Sequence, residues 1–77
     1  MEQRTLLNLK PGDRATIRKI HRDTNGAIRQ RLLDMGVNRG AEIVVERVAP
    51  LGDPVEILIK GYHLAIRKTE ATLIELD

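Results

Sequence analysis

Apolar and polar positions along this 77-residue chain mark out five strands and one helix. Leu6, Leu7 and Leu9 form a short apolar lead that ends at the turn dipeptide Pro11-Gly12. Arg14–Ile20 then carries the β-branched content and partial alternation of a strand. Asp23, Thr24 and Asn25 supply side-chain oxygens suited to capping a helix start. Behind them Ile28, Leu32 and Met35 recur at helical spacing, and Gly36 stands where a left-handed residue would stop the helix. The pattern predicts a helix over about 25–35.

Beyond Gly40 the reading is β. Ala41–Val48 is a strand, and Ala49–Pro54 is a stiff connection with a proline near each end. Val55–Lys60 alternates well, which sends Val55, Ile57 and Ile59 inward and Leu58 outward. Gly61 alone separates it from Tyr62–Arg67, as in a tight hairpin. Lys68–Ala71 has room for a single helical turn, and Leu73–Leu76 closes the chain as a last strand. Five short strands cannot build two sheets, and open edges invite aggregation; closing them into one small barrel answers both. The expectation is a mainly β, single-domain unit over 1–77.

Composition removes whole classes of function. The chain has no cysteine and no serine, so disulfides, thiolate sites and both common nucleophiles are gone. No phosphate-binding Gly-x-x-x-x-Gly-Lys-Thr occurs. So short a chain leaves little core to enclose a cleft, and the expectation is that it is no enzyme and carries no cofactor. Net charge is only +2 and Tyr62 is the one aromatic residue, which argues against nucleic acid as a partner. The charge is unevenly placed, however. Residues 1–39 hold nine basic and four acidic side chains, whereas residues 40–77 hold four and seven. That asymmetry fits a polar association surface, a solvated face of scattered charge, or a small barrel that binds nucleic acid through its basic half. No apolar run nears the ~20 residues of a membrane span and no signal peptide is visible, so a cytoplasmic protein without membrane insertion is expected.

Candidate site residues are few. His21 and His63 are the only imidazoles, and their spacing matches no chelating motif, so they are weak metal candidates at best. Pro50, Leu51, Gly52, Asp53 and Pro54 form a preordered loop with an apolar tip and one acid. It serves either as a plain turn or as a recognition edge whose binding costs little ordering entropy. Arg29 and Arg31 flank the Ile28/Leu32 stripe and read as a solvated helix face, as contacts to an acidic partner, or as a trans-acting arginine for GTP hydrolysis.

Four segments in order resemble the ferrous iron transport protein A (FeoA) family. They are Leu9-x-Pro11-Gly12-Asp13, Arg29–Gly36, Val48–Ile57, and Gly61-Tyr62-x-Leu64-Ala65-Ile66-Arg67-Lys68-x-Glu70-Ala71. The resemblance implies an SH3-like five-stranded barrel with the helix inserted after the first long strand. It also implies an accessory role beside the membrane ferrous-iron transporter FeoB, by contact with its cytosolic G-protein domain at the inner face of the membrane. Weak self-association is compatible with such a barrel. Arg39-Gly40 departs from the family, whose members often have proline before that glycine, and the departure adds a positive charge. Domains of this type also occur fused to iron- and manganese-responsive repressors, so a detached repressor module is the alternative. Without a DNA-binding region in the sequence, the transporter accessory is favoured.

Overall fold

Seventeen to twenty is the first place where strand alternation and burial disagree: Ile17 and Ile20 are both buried although three positions separate them. A β-bulge resolves this. The computed structural model describes residues 4–77, and in it β2 (Arg14–Ile20) pairs with β6 (Ile74–Leu76) in a register that slips between Ile17 and Lys19. Arg18 is the extra residue, so Arg18 and Lys19 both face solvent and the next isoleucine turns back inward. β3 (Glu42–Val48) repeats the device against β4 (Val55–Ile59), slipping between Val45 and Arg47. There Glu46 and Arg47 are both exposed. β4 itself alternates without interruption, with Val55, Ile57 and Ile59 buried.

The sheet is antiparallel throughout, in the order β1-β6-β2-β3-β4-β5, where β1 is Arg4–Thr5 and β5 is Tyr62–Ile66. Among the described residues it therefore has six strands rather than five. The additional one is two residues long, too short to show any period, and it pairs with β6. The β4–β5 hairpin is tight, as expected, but its turn takes two residues rather than Gly61 alone, because Ile59 pairs with Tyr62. Lys60 and Gly61 have φ of 50° and 84°, the left-handed pair that matches the strand twist. Leu58 points outward and is half-buried, in register between Val44 of β3 and His63 of β5.

The helix α1 (Ala27–Asp34) lies within the predicted span but is shorter. Its end explains why. Gly36 takes φ of 86° and donates to the Leu33 carbonyl, while Val37 donates to Leu32 at 2.9 Å. This pairing of backbone bonds closes the helix, and Leu32 and Val37, both wholly buried, sit at the two hydrophobic positions that go with it. A Cβ on Gly36 would also meet the Tyr62 hydroxyl at 3.3 Å. Of the predicted stripe only Leu32 is fully buried; Ile28 and Met35 lie at the core's margin. Two helical turns bring just one side chain to the centre. A second helical turn, α2 (Lys68–Ala71), precedes β6.

The start of α1 is held by Asp23 and Asn25, two of the three predicted acceptors. Asp23 takes the N–H groups of Ile28 and Arg29 on its two oxygens, each at 3.1 Å, and Asn25 takes that of Ala27 at 3.0 Å. Loss of solvent pushes the Asp23 carboxyl up, but the N–H donors, Arg29 and Ile28 foremost, together outweigh that and hold it below the ordinary aspartate value. A carboxyl more acidic in the folded than in the unfolded chain adds stability above its unfolded pKa, and that stability drains away as pH falls through the folded value. Melting temperature followed from about pH 6 to about pH 2 should thus drop, and Asp23→Asn should flatten that drop. Parallel curves for the two proteins would remove Asp23 from this role. No helix among the described residues is long and apolar enough to cross a membrane.

Candidate docking surface

The connection from β3 to β4 is tied to itself. Ala49 N–H donates to the Pro54 carbonyl at 3.0 Å and Gly52 N–H to the Ala49 carbonyl at 2.8 Å, with a single helical turn at Pro50–Gly52 between them. Leu51 sits at the tip with φ of 70° and 99% of its surface exposed. Both facts are unfavourable for a leucine. The left-handed backbone costs a β-carbon-bearing residue about 1–2 kcal/mol, and the side chain gains no burial in return. Strained backbone of this kind clusters at ligand clamps and switch regions, which makes the tip a candidate contact.

Asp53, read from sequence as the loop's recognition acid, has a structural duty. Its Oδ1 accepts the Lys68 N–H at 3.0 Å and so fastens the loop to the start of α2. Behind it Glu70 is 3% exposed, a buried carboxylate with every need met. Its Oε1 accepts the Arg67 N–H at 2.9 Å and its Oε2 receives the Arg31 guanidinium. Asp53, Pro54, Arg31, Ala65 and Arg67 accordingly line one cleft of about 480 Å³. The loop and Arg31, assigned separately to partner binding, are brought together. Arg67, Ala65 and Glu70 were missed; a glutamate between buried Ile66 and Ala71 was the available signal.

Arg29 goes elsewhere. Residues two apart on a helix diverge by roughly 200°. Arg29 accordingly leaves the far flank of α1, where its Nε donates to the Ile20 carbonyl at 3.0 Å, and it lines a different cleft with Arg18, Lys19, Leu33 and Arg39.

The two histidines do not meet. His21 Nε2 lies 2.8 Å from Glu75 Oε1, and Arg18 Nε reaches the same carboxylate at 3.3 Å. His63 Nδ1 lies 2.5 Å from Glu46 Oε1 on the outer face of the sheet. Each imidazole has one carboxylate neighbour, short of the three or four protein ligands a zinc-like site uses. No group of three or more His, Cys, Asp or Glu is placed to hold a metal among the described residues.

The sequence pattern of the FeoA domain family matches residues 4–77. A protein of Porphyromonas gingivalis named as a fusion of Fe(2+) transport protein A with the Fe(2+) transporter FeoB is 38% identical over 72 residues. Those residues are 94% of this chain and 8% of the fusion, so the chain spans a small part of that relative. Iron(II) transport protein A of Clostridium thermocellum superposes with a TM-score of 0.87 at 38% identity, covering 96% of this chain and 44% of that one. FeoA of Stenotrophomonas maltophilia, solved with zinc and described as a procaryotic SH3 domain protein, gives 0.85 at 26% identity over 96% of this chain and 89% of that one. A manganese-dependent transcriptional repressor reaches 0.87 at 17% identity, covering 37% of that chain, which is likeness of fold alone.

Proposed function

The chain belongs to the FeoA domain family, and from that premise we propose that it serves ferrous iron uptake as an accessory protein docking on a FeoB-type transporter. The observation that carries this reading is the fusion in the Porphyromonas gingivalis relative, where the two parts share one polypeptide. Covalent linkage holds two partners at high effective concentration, at which even a modest surface contact between them is populated. The Ala49–Pro54 loop with the Arg31/Arg67 cleft is the surface suited to it. It offers an ordered apolar tip, Leu51, beside two arginines and at little entropic cost.

The partner region is the transporter's cytosolic G-protein domain, which places the chain in the cytoplasm at the inner face of the membrane. The role is docking rather than catalysis in trans. Arg31 is drawn in by Glu70 and Arg29 is held back at Nε by the Ile20 carbonyl, so neither side chain extends from the surface as an arginine that completes another protein's phosphate site must. Purified chain titrated into the transporter's cytosolic region should bind saturably in at least one nucleotide state. Absence of binding in both states at high protein concentration would refute the reading. A coding sequence adjoining a repressor rather than a transporter would favour the regulatory-module alternative.

A further inference from the structure

On the flank of α1 away from the loop, Arg18, Lys19, Arg29 and Arg39 line one open cleft of about 480 Å³ over Ile20 and Leu33. We propose that this cleft is a docking groove for an acidic segment of a partner protein. In it the segment's carboxylates meet Lys19, Arg29 and Arg39, and an apolar side chain rests against Leu33.

The backbone gathers these cations. The bulge at Arg18 turns two successive side chains, Arg18 and Lys19, to the outside of β2. Gly40 N–H bonds the Ile17 carbonyl at 2.8 Å, which holds the preceding Arg39 alongside them. Arg29 is fixed in orientation through Nε, so its terminal nitrogens keep their donors for a ligand. Only Arg18 has an acidic partner, Glu75, which it shares with His21; among the described residues Lys19, Arg29 and Arg39 form no ion pair. Three uncompensated like charges around one cleft repel one another, and an anion in the cleft relieves that repulsion.

The rest of the lining selects the anion. A free phosphate group is held tightest where several donors converge on one point, whereas this cleft is open and its cationic side chains are spread around it. A nucleic-acid strand calls for stacking surfaces, and no aromatic residue lines the cleft. Carboxylates strung along a peptide, with an aliphatic side chain among them, match both the spread charge and Leu33. The inference does not depend on the transporter reading and concerns a separate face.

The test is titration of the full chain with a synthetic peptide of repeated Glu-Glu-Leu, followed by amide chemical shifts. Saturable binding is expected, with shifts at Lys19, Leu33 and Arg39. Lys19→Glu combined with Arg39→Glu should weaken it about tenfold, since two ion pairs become two repulsions. The charge-matched pair Lys10→Glu with Arg47→Glu, outside the cleft, should change it by no more than about twofold. Equal weakening by both pairs, shifts that spare the cleft, or no saturation by the parent chain would overturn the proposal. Tighter binding of inorganic pyrophosphate or of a short thymidine oligonucleotide at the same residues would overturn it too, in favour of a phosphate ligand.

Discussion

Leu32→Ala is expected to destabilise the fold by about 2–5 kcal/mol, a large share of what so small a domain possesses. Leu32 has no exposed surface and is the one α1 side chain that reaches the centre of the core. Truncation loses its transfer free energy and leaves a cavity facing Val37 and the sheet, which two helical turns fastened at both ends cannot close by sliding. The N-terminal fastening is Asp23 and the C-terminal one is the Gly36/Val37 closure. Chemical denaturation should show a lower midpoint with little change of slope, because the fold lost is the same. Leu33→Ala, at the core's margin, should cost clearly less. If Leu32→Ala unfolds at the parent's midpoint, the packing of α1 described above is wrong.

The second large effect concerns Leu51 and runs in opposite directions for stability and for function. Leu51→Gly removes the Cβ from a backbone with φ of 70°, so relief of left-handed strain offsets the added freedom of the unfolded chain. The variant should melt at or above the parent's temperature. Yet the same change strips the apolar tip, and an anchor at the centre of an interface commonly contributes about 2 kcal/mol or more, roughly thirtyfold in affinity. Leu51→Asp should weaken binding further by placing a charge there, again with the fold intact, because 99% of the side chain touches nothing. Transporter-dependent iron uptake in cells carrying either variant should fall with the affinity. Uptake equal to the parent's would move the docking site off this loop.

How far these features were legible differs from segment to segment. β4 was readable residue by residue, since strict alternation from Val55 to Ile59 is also its burial pattern. The stop of α1 was readable at Gly36 because only a glycine takes that backbone cheaply. The bulges in β2 and β3 were not; a two-position period has no symbol for an inserted residue, and Ile17/Ile20 merely looked like weak alternation. The two-residue β1 fell below any period.

Among site residues, the exposed tip at Leu51 and the outward His63 follow from local pattern. The buried Glu70 does not, because its partner Arg31 lies 39 positions away and meets it only in the fold. Arg29 and Arg31 show the intermediate case. Their spacing set them on either flank of the Ile28/Leu32 stripe, but which cleft each enters depends on the strands packed beside α1.

Docking through an outer loop, rather than through an interior site, is what the proposed function rests on. Isotope-labelled chain titrated with the transporter's cytosolic region and followed amide by amide tests it most directly. The largest changes are expected at Leu51, Gly52, Ala65 and Arg67. Binding that leaves those four signals unmoved would contradict it.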